Sequence, residues 1–209
     1  MTTNALLNIL GLVAVLAVVF LIIYFISKSK SEEGPTNTAK RAQKDRGVDA
    51  AVKALNRYAS LHNFRILQPA HLHWGEKSAE LDAIIVTFSG IVGVRCLGYN
   101  GEIFANSGEP DWLWVTQESR TRIPDPVAQC AADARVIRDV LMQNPKLRNV
   151  PVECLPVFTD KSVQLAVPKS SRIFRQKDLM STLEKEKYLE DKGLDQETIA
   201  TLLSDALQG

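Results

Sequence analysis

The sequence predicts an α/β domain, a mixed sheet flanked by helices, preceded by one transmembrane helix. Three observations carry that reading. From Ala5 to Ile26 the chain holds no charged residue, and Asn8 is its only strongly polar side chain. A helix rises ~1.5 Å per residue and a bilayer core is ~30 Å thick, so about 20 apolar residues span it. Downstream, runs rich in β-branched residues, Leu81 to Phe88, Ile91 to Cys96 and Val152 to Phe158, read as strands. Before, between and after them, apolar residues recur at helical spacing, and helices of that kind cover a mixed sheet in layers.

The N-terminal run shows no polar stripe, which separates it from a buried core helix. A cleaved signal peptide would have a basic start, a shorter apolar core and a small-x-small cleavage site; here Met1 to Asn4 carry no side-chain charge. Lys28, Lys30, Lys40, Arg41, Lys44 and Arg46 follow the run and nothing basic precedes it. The positive-inside rule therefore puts the N-terminus outside and the C-terminal domain in the cytoplasm, as a single-pass protein of the cell membrane. Gly11 stands without a GxxxG partner, so close packing against another membrane helix is not written in the run. Residues 27–44, rich in Ser, Lys, Glu, Gly and Pro at their start, read as a cytoplasmic tether. Residues 45–168 are the domain, and 169–209 a helical extension.

Net charge over the chain is +1, so no global basic field draws in nucleic acid. Cys96, Cys130 and Cys154 are widely spaced with no CxxC pair, which suits a reducing compartment. The domain is long enough to bury a core without disulfides or metal.

Within the domain, Val48, Ala51, Val52, Leu55 and Ala59 give a first helix over Asp45 to Leu61, and Phe64 to Leu67 a short strand. Leu81 to Phe88 follows, then the turn at Ser89-Gly90 and the strand Ile91 to Cys96. Tyr99-Asn100-Gly101 is a hairpin signal. Glu102 to Ala105 and Trp112 to Thr116 read as short strands around a polar loop. Asp125 is suited to cap a helix that opens on Pro126, with Val127, Cys130, Ala131, Ala134, Ile137 and Leu141 as its apolar stripe. Strands at Val152 to Phe158 and Val163 to Val167 follow. Helices near Lys177–Tyr188 and Gln196–Leu207 close the chain, the last capped by Asp195.

Four segments resemble the nuclease-related domain (NERD) family. Leu-Asp-Ala-Ile-Ile-Val at 81–86 is similar to the family's Ile-Asp-His-Val-Val-Val-like strand, and Ser-Gly-Ile-Val at 89–92 leads into the next strand. Gly-Tyr-Asn-Gly-Glu-Ile at 98–103 resembles the family's Asn-Tyr-x-Gly-x-Ile. Asp-Pro-Val-Ala-Gln at 125–129 is similar to Asn-Pro-x-x-Gln at a helix start. The resemblance covers about 45–168 and implies a restriction-endonuclease-like fold. It also implies metal-assisted phosphodiester hydrolysis, in which carboxylates hold magnesium and a lysine positions water.

Asp82 matches the family's strand acid and Gln129 its helix glutamine. The family's Glu-x-Lys, however, falls on Arg95 and Leu97. Arg donates hydrogen bonds, never accepts, and stays protonated, so it cannot be a metal ligand. No Asp or Glu lies between Ser89 and Asn100 to take its place, and Glu102 is past the turn. Asp82 and Gln129 are therefore expected as vestigial family positions, with Asp82 paired to Arg95 and no cofactor. Asp49 is the nearest candidate for a first-helix acid, or a solvated residue.

Other candidates are weaker. His71 and His73 share a strand face, but zinc sites take three or four ligands and His62 is poorly placed. Lys169, Arg172, Arg175 and Lys177, with Phe174 among them, could grip nucleic-acid phosphates or lipid headgroups, or be a solvated loop. Arg120 and Arg122 form a smaller basic loop. Trp112 and Trp114 alternate on a strand and anchor one sheet face; stacking on bases is the other reading.

Three functions stay open. One is a catalytically inactive, membrane-anchored binding or scaffolding module, with a protein partner expected and nucleic acid or lipid as further partners. Another is a divergent, membrane-tethered, metal-dependent nuclease using magnesium. A membrane-bound structural subunit is a third.

Overall fold

The computed structural model describes residues 47–105 and 110–207, within the second of the two units into which the chain divides, Lys40–Gly209. The expected membrane helix at 5–26 and the tether at 27–44 lie outside the described residues. Among the described residues no helix is long and apolar enough to cross a membrane.

Helix α1 (Val48–Leu61) leads into strand β1 (Arg65–Leu67), the β2–β3 hairpin (Ala70–Trp74 and Lys77–Leu81), β4 (Ala83–Val86) and β5 (Ile91–Leu97). Strands β6 (Glu102–Phe104), β7 (Asp111–Val115) and β8 (Arg120–Pro124) follow, then helix α2 (Pro126–Leu141), β9 (Val152–Phe158), β10 (Gln164–Ala166) and β11 (Phe174–Arg175). Helices α3 (Gln176–Leu183), α4 (Glu186–Leu189) and α5 (Gln196–Leu207) end the chain.

The central sheet has the order β1-β4-β5-β9-β11. It is mixed: β4 pairs antiparallel with β1 and β5, while β9 runs parallel to β5 and β11. Parallel neighbours need a long crossover, and here the excursion from β5 to β9 contains β6, β7, β8 and α2. Side chains alternate across a strand, so each face builds its own core. On one face Ile84, Val86 and Ile91 pack with Ile137, Val140 and Leu141 of α2 and Ile199 and Leu203 of α5. On the other, Ala83, Ile85, Val92, Val94 and Cys96 pack with Leu55 and Tyr58 of α1 and Leu179 and Leu183 of α3. Each fully buried Ile, Leu or Val contributes ~1.5–3 kcal/mol of transfer free energy. Tyr58 ties the second layer shut by donating from Oη to the Leu183 carbonyl at 2.7 Å.

A second sheet, β10-β6-β7-β8, wraps its own core of Ile103, Trp112, Trp114, Ile123 and Val163 against Leu97 and Phe158 from the ends of β5 and β9. Trp112 and Trp114 are therefore sheet anchors; Trp114 Nε1 donates to the Asn100 carbonyl at 2.7 Å. A base-stacking role is removed by their burial.

Several elements differ from their sequence expectation. The Leu81–Phe88 strand is split at Asp82, with its front end paired to a β2 strand that periodicity had not marked as half of a hairpin. Tyr99-Asn100-Gly101 makes a turn with Gly101 at φ 73°, where an added Cβ would lie 2.4 Å from the Val115 carbonyl oxygen. It closes no hairpin: β5 is flanked by β4 and β9, so the chain crosses to the second sheet. Arg120 and Arg122 sit on strand β8, not a loop, because the turn at Thr116–Ser119 folds them back onto β7. The Lys177–Tyr188 helix is broken into α3 and α4. By contrast α2 and α5 occupy the expected residues, and Asp125 accepts from the Val127 N–H at 2.8 Å as its cap.

Candidate functional site

The expected nuclease positions meet where β4, β5 and α2 converge. Asp82 lies in the bend between β3 and β4, and its N–H donates to the Val94 carbonyl at 2.9 Å. Its Oδ2 accepts from the Cys96 N–H of β5 at 2.7 Å. A side-chain oxygen thus satisfies a strand N–H that a bent ladder leaves over, and an unpaired one would be costly. On β5, Arg95 alternates with Val94 and Cys96 and so points to the α2 face.

Across from it, two turns into α2, stands Asp133, 4 % exposed. Arg95 Nε donates to Asp133 Oδ2 at 2.9 Å and Nη2 to Oδ1 at 3.1 Å, a fork onto both oxygens. Such bidentate, charge-assisted bonds are the strong class. Burial pushes the Asp133 carboxyl above its ordinary range; the Arg95 charge and hydrogen bonds, with a backbone hydrogen bond from Glu80, pull against that rise. The neighbouring Cys130 thiol is pushed up to about 12 by burial, with Asp133 adding to the shift, and Cys154 is raised for the same first reason.

The expected Arg95–Asp82 pair is therefore corrected. Arg95 belongs to Asp133, and Asp82 belongs to the backbone of β5. The helix supplies a buried carboxylate to the guanidinium, whereas the Asp82 carboxylate reaches across to the Cys96 N–H of β5. Gln129 lies one turn before Asp133 on α2, half-buried, and takes no part in the fork. Leu97 is buried in the second-sheet core.

These residues do not fit magnesium. That ion wants several oxygen ligands in octahedral array; here one carboxylate is held by a strand N–H and the other by a cation standing between β5 and α2. Among the described residues, no three His, Cys, Asp or Glu side chains are grouped to hold a metal ion. His71 and His73 share the exposed outer face of the β2–β3 hairpin, opposite Glu80 and Ser78. His62 stacks on Phe64 and reaches Glu184 at 3.4 Å. Asp49 is exposed in the first turn of α1.

The basic run from Lys169 to Lys177 is divided by the fold. Arg172 pairs with Glu153 of β9, which also takes Lys187 Nζ at 3.2 Å and the Tyr188 hydroxyl at 2.7 Å. Arg175 and Lys177 instead line a cavity of about 520 Å³, together with Lys161. Lys169 is exposed on the connecting loop.

Sequence reasoning missed Asp133, Glu153 and Lys161. Asp133 was the most legible: it stands three residues after Cys130 and one before Ala134, inside the apolar stripe of α2, where a lone acid demands a buried partner.

No curated protein and no solved structure matches the chain. The sequence profile of the nuclease-related domain matches residues 40–159, more than half of the chain, and spans α1 through β9 with Asp82, Arg95, Gln129 and Asp133. The chain thus belongs to the nuclease-related domain family.

Proposed function

We propose that this protein is a membrane-anchored, nuclease-related binding or scaffolding module that does not cleave phosphodiesters. The observation that carries the reading is the Arg95–Asp133 fork. At the position where the resemblance puts a metal-ligating glutamate stands a guanidinium, and its bond partners are the carboxylate oxygens nearest to it. A divalent cation placed there would meet a fixed positive charge. Removing that charge would strand a buried carboxylate, which is expensive. The fold supports a restriction-endonuclease-like assignment through its antiparallel β4–β5 pair, the parallel β9 beside β5, and α2 packed over them.

Anchorage is supported by the uncharged Ala5 to Ile26 run, and a domain on the cytoplasmic face of the cell membrane by the basic residues after it. The same arrangement leaves the domain free to hold a protein partner, or nucleic acid, beside the bilayer.

Two measurements test the proposal on the full chain in vesicles. Alkaline carbonate extraction leaves the chain in the membrane fraction; release into the supernatant would overturn the anchor. Linear, circular and single-stranded DNA and RNA, offered with magnesium or manganese, remain uncut. Cleavage that disappears in Asp82→Ala would overturn the inactive reading and establish a divergent nuclease.

A further inference from the structure

The fold gathers cations from distant parts of the chain at the point where the polypeptide enters the described domain. Gly47, the first described residue, has φ 73° and packs so closely on β9's exit that an added Cβ would lie 2.8 Å from the Thr159 carbonyl oxygen. The next residues along, Asp160 and Lys161, line the 520 Å³ cavity, and Arg175 and Lys177 line it from the start of α3. Phe158 and Met180 give it an apolar floor. Lys161 and Lys177 are exposed, Arg175 is half-buried, and none of the three forms an ion pair with another described residue. Asp160, the acid on this rim, is engaged: its Oδ1 accepts from the Ser162 N–H at 2.8 Å and from its hydroxyl at 2.7 Å.

We propose that the Lys161–Arg175–Lys177 face docks on the anionic leaflet of the bilayer that holds the anchor, with lipid phosphates at the cavity. The inference rests on the anchored reading. Charge complementarity selects the occupant. A cytoplasmic leaflet carries negative surface potential that attracts clustered Lys and Arg within about a Debye length. Even fully extended, residues 27–46 keep Gly47 within about 70 Å of the membrane, and any slack brings it closer. The sequence between the apolar run and Gly47 adds Lys28, Lys30, Lys40, Arg41, Lys44 and Arg46 to the same end of the chain. A tethered face of net positive charge, three cations against the one carboxylate of Asp160, meets the leaflet repeatedly, so three basic side chains suffice where a free protein would need more.

The test uses the full chain in vesicles of phosphatidylcholine alone or with about one-third phosphatidylserine, each doped with a dansyl lipid. All three tryptophans, Trp74, Trp112 and Trp114, lie in the domain, so energy transfer from tryptophan to dansyl reports its approach to the surface. Transfer rises on the anionic vesicles and falls back in half-molar salt. Lys161→Glu/Arg175→Glu/Lys177→Glu abolishes the rise. The milder Lys161→Gln/Lys177→Gln lowers the docked-to-undocked ratio on the order of fivefold per residue, the equivalent of ~1 kcal/mol for each charge. Equal transfer on both vesicles overturns the proposal. So does transfer that is insensitive to these substitutions, or a face that takes up a single-stranded oligonucleotide on neutral vesicles while ignoring phosphatidylserine. Carbonate extraction of the same vesicles separates the two readings: a chain that stays embedded yet shows no lipid dependence refutes the docking alone.

Discussion

Replacing Arg95 with Met isolates the energetics of the central pair. The substitution removes the guanidinium and keeps most of the aliphatic stem. It leaves Asp133, whose side chain is 5 % exposed, without its cation, whereas the Arg95 side chain is 19 % exposed. Breaking a buried pair by removing one partner costs ~3–5 kcal/mol. Water reaches the Arg95 side, so the lower end applies, about 3 kcal/mol. For a domain of this size that lowers Tm by roughly 6–12 °C. Asp133→Leu should cost less, about 1–2 kcal/mol, because the freed guanidinium can turn towards solvent. The double variant should recover most of the loss, since an apolar pair of similar volume replaces a buried ion pair at little net cost. The resulting coupling is about 3 kcal/mol. Thermal unfolding of the chain in detergent, followed by the emission of buried Trp112 and Trp114, measures all four corners. The pH dependence has a definite sign. Burial already raises the Asp133 carboxyl, and Arg95 is the chief opposing cause, so its loss raises that carboxyl further. A raised acid contributes its stability below its unfolded value, near ~3.9, and loses it as pH rises through the folded value. The Arg95→Met deficit must therefore shrink on acidification. A variant within ~0.5 kcal/mol of the parent at neutral pH, or a deficit that grows in acid, would refute the reasoning.

Four shorter predictions share the same logic. Gly93→Ala places a Cβ 2.6 Å from Cys154 Sγ and 2.9 Å from Leu81 Cδ1, so overpacking should cost ~1–3 kcal/mol in the unfolding midpoint. Tyr188→Phe removes the 2.7 Å bond to Glu153 and should cost ~1–2 kcal/mol, with faster hydrogen exchange confined to α3 and α4. The buried Cys96 and Cys130 thiols, both raised by burial, should resist an alkylating reagent at pH 8 until denaturant is added. Tyr58, pushed up to about 12 mainly by burial, should stay protonated at pH 11 in the folded chain, as its ultraviolet absorption will show.

The elements legible in the sequence were those whose periodicity and caps agree. Helix α2 combines Asp125, Pro126 and a stripe from Val127 to Leu141, and the fold keeps all of it. The β9 strand is a short apolar run between turn residues and is buried as such. What escaped were pairings. Nothing local says that Tyr99-Asn100-Gly101 leads to a second sheet, because that depends on β9 having already filled the free edge of β5. The Asp82 bend was hidden because Leu81 to Phe88 reads as one apolar strand; the break is decided by the Cys96 N–H, fourteen residues on. The site was half legible. Family spacing located Arg95 and Leu97 as replacements, but the partner of Arg95 is fixed by helix packing, which strand register does not contain. In the basic run, residue type was visible and direction was not: β9's Glu153 draws Arg172 away from Arg175 and Lys177.

Asp82 shows how a residue can hold two employments at once. In a metal-dependent nuclease its carboxylate would answer to an ion; in this chain it answers to the amide of Cys96. The second duty belongs to the bend between β3 and β4 and is indifferent to whether any bond is ever cut. An aspartate at this place can therefore outlast the reaction, kept by the backbone it completes. A survey that ranks relatives as active by that aspartate would count architecture as chemistry. The informative letters are the one at Arg95, thirteen residues later, and its correspondent on the helix, Asp133, which change together or leave a charge buried alone.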